Sequence, residues 1–360
     1  MNCDKKDTSD SFRFFKSLEE KVLSQRIPIT GSIDLTHRCN LRCIHCYNGV
    51  QSDIQKFQHY EINTLKMKSI IDEITDAGCL YLLITGGEPL IRRDFKEIYE
   101  YVKLKGLITT IFTNGTMITD DIIGLFNELP PHEIEVTLYG ATKETYEKIT
   151  GVNGSFDMCM NGIERLVKNG HNLRLKTILM KINKDEFFQI KKIASDFGVG
   201  FRFDAALFPR FDGDRKPISL RVTPLEAVEM ELIDKDMLSK WKDYYEITKD
   251  FVNITDELYT CGAGVISFHI DPYGNLKPCL MVRSISCSLN NNSFIDGWNA
   301  IITLMRLKKV SKDYKCNKCK KSMLCGYCPA FFELENDSEY LCSDYLCEMG
   351  RIRYEKLFLN

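Results

Sequence analysis

The chain has 360 residues, 44% of them hydrophobic, and a formal net charge of −2. That length suits one large domain and a smaller one, and the near-neutral balance gives no general pull toward nucleic acid or an anionic membrane. The N-terminal Met-Asn-Cys-Asp-Lys-Lys-Asp lacks the apolar run of a signal peptide, and no stretch approaches the ~18 apolar residues of a membrane span, so a cytoplasmic protein is expected.

Residues 1–30 read as a charged helix, Ser11 to Ser24, and an approach to the first strand. From 31 to about 205, strand and helix patterns alternate. Strands are expected at 32–36, 80–85, 107–113, 133–139, 173–180 and 199–204. Helices are expected at 62–77, 94–105, 119–128, 155–169 and 184–197. Alternating β and α with short connections predicts an α/β protein with a parallel sheet, and six strands make an open barrel whose ligands sit at its C-terminal rim. The loop Phe208 to Pro217 and a polar helical segment from about 223 to 250 read as a bridge. The expected organisation is an extension at 1–30, the barrel at 31–210, the bridge at 211–255 and a small cysteine-rich domain at 256–360.

Fifteen cysteines in a chain without an export signal point to metal rather than a disulfide scaffold. Cys39, Cys43 and Cys46 lie in the loop after the first strand. Three thiolates at that spacing can hold three irons of a [4Fe–4S] cube and leave the fourth iron open for chemistry; a partial zinc site is the alternative. Gly86-Gly87-Glu88-Pro89 ends the second strand, where glycines allow a close backbone approach and proline fixes the loop.

With both motifs in this order, the sequence resembles the radical S-adenosylmethionine (SAM) superfamily. The resemblance implies a partial (β/α)6 barrel in which Cys39, Cys43 and Cys46 ligate a cluster whose open iron binds SAM. It implies that His45 packs near the adenine and that Gly86, Gly87, Glu88 and Pro89 meet the ammonium of SAM. Asn114, in Thr113-Asn114-Gly115, and Thr137, in Thr137-Leu-Tyr-Gly140, are expected at the carboxylate or ribose. Lys176 on the fifth strand is a candidate for the SAM carboxylate, or a solvated lysine. Asp204, ending the sixth strand, is a candidate substrate ligand or proton acceptor, or a turn cap.

Nine cysteines fall between 261 and 347. Two CxxC pairs suit zinc, but Cys319 and Cys325 are far closer than the roughly 15–20 intervening residues of a zinc ribbon. The region resembles the SPASM extension, which carries two auxiliary [4Fe–4S] clusters. The resemblance assigns Cys316, Cys319, Cys325 and Cys347 to one cluster and Cys261, Cys279 and Cys328 to the other. No cysteine precedes Cys261 at the family's usual spacing, so the second set lacks a fourth protein ligand. Its open iron would take Cys342, Cys287 or a substrate thiolate. Cys79 and Cys159 are expected as core thiols, and Cys3 fits no cluster pattern.

The resemblance extends to members that mature ribosomally made peptides, through the segment Tyr139 to Gly151 and through Phe201-Arg-Phe-Asp-Ala. It implies an oxidoreductase with three [4Fe–4S] clusters and SAM that modifies a peptide side chain, with a cysteine-containing peptide among the candidate substrates. The 30 residues before the first strand leave no room for a leader-binding domain, so a separate leader-binding protein is expected. A flavodoxin- or ferredoxin-type donor would supply electrons. A basic run from Arg306 to Lys321, eight cations in sixteen residues, suits an acidic peptide or donor, or a solvated helix face. The alternatives are oxidation of a small molecule or tetrapyrrole side chain, and a non-catalytic iron–sulfur carrier, which would need neither the open iron nor the glycine pair.

Overall fold

The computed structural model describes residues 17–18, 20–49, 55–233, 235–249 and 256–359. Part of the expected N-terminal helix, the end of the bridge and Cys3 lie outside the described residues. Six parallel strands run in the order expected of a barrel: β1 (Thr30–Asp34), β2 (Tyr81–Thr85), β3 (Ile108–Thr113), β4 (Glu133–Thr137), β5 (Leu173–Ile178) and β6 (Gly200–Asp204). The helices between them are α1 (Thr64–Asp76), α2 (Phe95–Leu104), α3 (Asp120–Glu128), α4 (Lys143–Thr150), α5 (Ser155–Lys168) and α6 (Phe187–Asp196).

The strands show why this sheet encloses a cavity. Ile33, Ile84, Ile111, Val136 and Leu175 point outward and are buried beneath the helices, against Met67, Ile70, Ile71 and Ile74 of α1 among others. The alternate positions carry Ser32, Thr110, Glu135, Lys176 and Arg202. A barrel filled only by its own side chains would carry large aliphatics there. These polar residues share the inner face with Leu83 and Phe112, and the interior stays open.

Helix starts follow side-chain caps. Asn63 accepts from Lys66 N, Thr119 from Ile122 N and Thr142 from Thr145 N. Helix α4 was not among the expected elements. Its eight residues are mostly polar, but the Thr142 cap and left-handed Gly151 bracket it at both ends.

The bridge forms two helices, α7 (Pro224–Leu232) and α8 (Lys235–Thr248); α7 opens on a capping box between Thr223 and Glu226 with Pro224 in the first turn. The sheet then continues. Strand β7 (Ser267–Ile270) pairs parallel to β1, and β8 (Asn275–Lys277) and β9 (Cys287–Ser288) add antiparallel to give nine strands, order 6-5-4-3-2-1-7-8-9. The C-terminal region is thus hydrogen-bonded to the barrel's first strand. It ends in α9 (Phe294–Leu307), α10 (Ser322–Cys325), α11 (Pro329–Asn336) and α12 (Asp344–Phe358). Cys79 and Cys159 are buried in the main core. No helix among the described residues is long and apolar enough to cross a membrane.

Candidate active site

The barrel rim holds a cavity of about 1120 Å³. Cys39, Cys43, His45, Cys46, Gly86, Gly87, Asn114, Thr137, Lys176 and Asp204 all line it. Glu88 and Pro89 are buried beside it rather than on its wall.

The cysteine loop has no regular structure of its own and is held by its neighbours. Arg42 N donates to Thr150 O at 2.8 Å and Ile44 N to Ile149 O at 3.0 Å, so the end of α4 grips the loop. Gly151 lies so near that a Cβ there would sit 3.0 Å from Arg42 O. On the other side, Gly87 N donates to Thr36 O (2.7 Å) and Glu88 N to Arg38 O (2.9 Å). A Cβ on Gly86 would lie 2.2 Å from Thr36 O, and one on Gly87 2.3 Å from Arg38 O. The glycine pair is therefore required first by the cysteine loop, whose backbone occupies the space that side chains would fill. Buried Arg92 adds a clamp, donating to Leu35 O (2.8 Å) and Ile62 O (3.1 Å).

Glu88 is fully buried. Its Oε1 accepts from Thr113 Oγ1 (2.8 Å) and Leu90 N (3.2 Å), and its Oε2 from Asn114 N (2.7 Å). The expected direct contact with the SAM ammonium is thus narrowed to the lone-pair capacity left on Oε2, because three protein donors already hold the carboxylate. Asn114 is tied up in the same way. Its Nδ2 reaches Asn40 Oδ1 at 2.8 Å and the Cys39 sulfur at 3.6 Å, and its Oδ1 accepts from Thr116. The Thr-Asn-Gly turn orients Cys39 before it offers SAM anything.

Burial raises the Glu88 carboxyl to about 7 from an ordinary value of 4.5. The folded protein holds a proton that the unfolded chain releases lower down. The stability this contributes is complete below about 4.5 and is lost as pH rises through about 7. An ammonium ligand selects the ionised form and reverses the preference. SAM affinity should therefore rise by up to about tenfold per pH unit below about 7 and flatten above it. Isothermal titration from pH 6 to 8, roughly one unit either side of that value, checks this. A wild-type affinity independent of pH, or a pH slope that persists in Glu88→Gln, would separate Glu88 from the ammonium.

His45 packs edge-on against Tyr139 with centroids 4.7 Å apart, and its buried Nδ1 takes no partner among the described residues. Burial pulls its ring down to about 4, so it is neutral. Lys176 Nζ lies 3.8 Å from Glu135 Oε2 and over the Phe112 ring. Burial lowers it to about 7, against the pull of Glu135. Glu135 is also paired with Arg202, at 2.6 Å, so Lys176 and Arg202 share one carboxylate partner at the cavity. Asp204 is exposed, and its Oδ1 accepts from Ala206 N at 2.8 Å. It is a turn cap that also lines the cavity.

Sequence reasoning missed a group at the inner wall. Ser32 and His269 face each other across the β1–β7 register. Ser32 Oγ is 2.9 Å from His269 Nδ1, and His269 Nε2 is 3.7 Å from Asp34 Oδ2. Burial opposes charge on Asp34, but His269, His37 and Lys277 outweigh it and hold the carboxyl below its usual range. Only the pairing of β7 with β1 brings these side chains together, and His269, 237 residues from Ser32, carries no local signal of it.

Two further cysteine groups form in the C-terminal region. Cys279 and Cys328 interact electrostatically with each other and with Cys261. Cys316, Cys319 and Cys325 form a second group with Cys347. Cys342 adjoins this second group, against the expectation that it could complete the first. Asn336 Nδ2 bonds to Leu341 O (2.9 Å) and Cys342 O (3.2 Å), which pins that loop at the start of α12. Cys287, the other candidate for the first group, lies on β9. Its sulfur packs on α9, 3.2 Å from where a Cβ on Gly297 would stand. The basic run is partly neutralised: Lys308 pairs with Glu339, Lys309 with Asp256 and Lys318 with Asp313.

The donor set fits a cluster and SAM. Three soft thiols line one cavity wall, beside a neutral aromatic ring with an unsatisfied nitrogen and a buried lysine held 3.8 Å from Glu135. Burial raises the Cys39 thiol to about 12 and raises Cys43 and Cys46 as well, so cluster assembly must displace protons.

Residues 33–194 match the Radical SAM superfamily. An AdoMet-dependent heme synthase of Methanosarcina barkeri is 26% identical over 319 residues, spanning 82% of this chain and 90% of that one. Mycofactocin maturase MftC of Mycobacterium tuberculosis is 28% identical over 257 residues, spanning 70% of this chain and 64% of its own length. SuiB of Streptococcus suis shares the fold, with a TM-score of 0.71 at 16% identity over 95% of this chain and 83% of that one, and has also been solved with the precursor peptide SuiA bound. Cysteine loop and glycine pair both fall inside the matched segment: residues 33–194 form a radical SAM domain, and a cysteine-rich C-terminal region follows it.

Proposed function

We propose that the protein is a cytoplasmic radical SAM/SPASM oxidoreductase that modifies a side chain of a ribosomally made peptide. The observation that carries this reading is the 1120 Å³ cavity, which runs from the three-cysteine loop to the inner-wall groups Ser32, Lys176 and His269. It has room for SAM and a substrate side chain together. In this reading Cys39, Cys43 and Cys46 hold the cluster. Gly86, Gly87, Glu88 and Pro89 shape the ammonium end of the SAM site, with His45, Asn114 and Thr137 at the adenine and ribose and Lys176 at the carboxylate. Asp204 meets the substrate. When bound, the cluster and SAM supply a 5′-deoxyadenosyl radical that takes a hydrogen atom from the substrate. Ser32 and His269 are placed to accept the proton that leaves as the substrate radical is oxidised, with Asp34 stabilising the imidazolium.

The electron from that oxidation needs an acceptor, and the two C-terminal cysteine groups suit two auxiliary [4Fe–4S] clusters, three clusters in all. A maturase among the relatives and a precursor peptide on a fold neighbour support a peptide substrate. A separate leader-binding protein and a flavodoxin- or ferredoxin-type donor belong to the same proposal, with exposed Lys312, Lys315 and Lys320 as contacts for acidic partners.

A tetrapyrrole side chain is the second reading, favoured by the heme synthase matched over 90% of its length. The test is anaerobic incubation of reconstituted enzyme with SAM, dithionite and precursor peptides encoded near it, in parallel with iron-coproporphyrin substrates, read by mass spectrometry. A two-hydrogen mass loss or a new crosslink in a peptide, with 5′-deoxyadenosine in stoichiometric amount, is expected. Turnover of the tetrapyrrole alone would overturn the peptide reading.

A further inference from the structure

Two cations where the bridge meets the cavity share one acid. Arg210 and Lys216 lie on the loop Phe208 to Pro217, and both line the cavity. Arg210 Nη1 is 3.1 Å from Asp214 Oδ2, and Lys216 Nζ is 3.9 Å from the same oxygen. The other oxygen of that carboxylate already accepts from Lys216 N at 2.9 Å. Asp214 itself is not on the cavity wall. Of the charged side chains that do line the cavity, Arg42, Lys176, Arg210 and Lys216 are cations, and Asp204 alone is an acid. A cleft walled mostly by one sign of charge draws in the other.

The loop is held in place. Arg210 N donates to Asp214 O and Gly213 N to Arg210 O, both at 2.9 Å, which closes the turn on itself. Phe211 N donates to Tyr47 O at 3.0 Å, and Phe208 and Phe211 pack on the Tyr47 ring with centroids 5.6 and 5.2 Å away. The Arg210 side chain is largely buried, and its Nε has no hydrogen-bond partner among the described residues. A buried donor left unpaired costs stability until a ligand satisfies it. Nε with a neighbouring Nη is also an edge that holds a carboxylate by two parallel bonds. Lys216 is largely exposed and brings a second cation to the same oxygen of Asp214.

We propose that Arg210 and Lys216 form a receptor for a carboxylate of the substrate, so that the molecule entering the cavity is acidic near the position modified. The inference rests on the substrate reading above, in which that carboxylate belongs to an aspartate or glutamate of the peptide. One acid shared by two cations leaves a unit of positive charge at the cavity, and a substrate carboxylate balances it. Lys176 and Arg202 divide Glu135 in the same way on strands β5 and β6, beside the place given to the carboxylate of SAM. The two anionic groups thus have separate cationic partners, one on the barrel and one on the bridge.

The test titrates the reconstituted full chain with SAM present, by anaerobic calorimetry. The probes are end-capped tetraglutamate and tetraglutamine peptides, and iron-coproporphyrin III with its tetramethyl ester. Tetraglutamate should bind more tightly than tetraglutamine by about tenfold or more, the worth of one charge-assisted hydrogen bond. Lys216→Glu should erase that ratio, Lys216→Arg should keep it, and Arg210→Gln should reduce it. The double change Lys312→Glu and Lys315→Glu, on the exposed basic run, should leave it as it was. Equal binding of the charged and uncharged probes in the parent would overturn the proposal. So would a ratio that survives both Lys216→Glu and Arg210→Gln, or one lost in the Lys312 and Lys315 variant instead. Charge-dependent binding of the tetrapyrrole alone, erased by Lys216→Glu, would keep the receptor and sink the peptide reading. The parent comparison needs no substitution, and Lys216 is largely exposed, so a misfolded Arg210 variant does not decide the matter.

Discussion

A protein with Cys39, Cys43 and Cys46 all replaced by alanine should form no 5′-deoxyadenosine from SAM under dithionite, while keeping about eight of about twelve irons. The loss is complete because these are the cysteines on the wall of the cavity. The C-terminal groups lie on other elements, around α10, α11 and the β7–β8 hairpin, and are not at the barrel rim. Measured 5′-deoxyadenosine above background in the triple variant would mean that SAM meets iron elsewhere. A residual iron content near zero would mean that the C-terminal cysteines hold no clusters.

The second large effect comes from a residue with no chemistry. Gly86→Ala should abolish SAM cleavage while leaving all three cysteine ligands in the chain. Gly86 sits at φ 132°, where side chains are strained, and its Cβ would lie 2.2 Å from Thr36 O. The obstacle is backbone, so no side chain can swing aside. Strain and overpacking of this kind cost about 1–3 kcal/mol each. The loop that would have to move is the one that sets the three sulfurs. Gly106→Ala is the control, since its φ is also positive, at 78°, but nothing lies within 4 Å of its added carbon. It should lose stability only modestly and keep full activity. If Gly86→Ala retained a normal iron content and normal cleavage, the packing of the glycine pair on the cysteine loop would not matter to the site.

Much of the barrel was legible because its strands carry a clean two-residue period. Ile33, Ile84, Ile111 and Val136 mark the outer face, and each expected strand lies within two residues of the observed one at both ends. The catalytic loop was legible because cluster ligation constrains cysteine spacing locally. What stayed hidden depends on closure over distance. Helix α4 is too short and polar for periodicity to find, and its value to the site, gripping Arg42 and Ile44, is a pair of backbone bonds. The roles of Gly86 and Gly87 were read as openings for a ligand, whereas their missing side chains make room for Thr36 and Arg38. Glu88 and Asn114 were placed at SAM from their motifs, but their hydrogen-bond partners could not be seen without β3 beside the cysteine loop. The grouping of Cys342 with Cys316 and Cys347 follows from how α12 docks on α10, and no spacing rule encodes that contact.

The pairing of β1 with β7 also has a temporal side. Ser32 emerges from the ribosome 237 residues before His269. At synthesis rates of about 5–20 residues per second, the outer edge of β1 waits roughly 12–47 s for its neighbour. Throughout that interval the nascent barrel offers a bare row of backbone donors and acceptors to any other chain that can add a strand. The step that covers the edge of β1 is therefore also the step that delivers the cysteine-rich region, so a ribosome that stalls before residue 270 leaves that strand exposed.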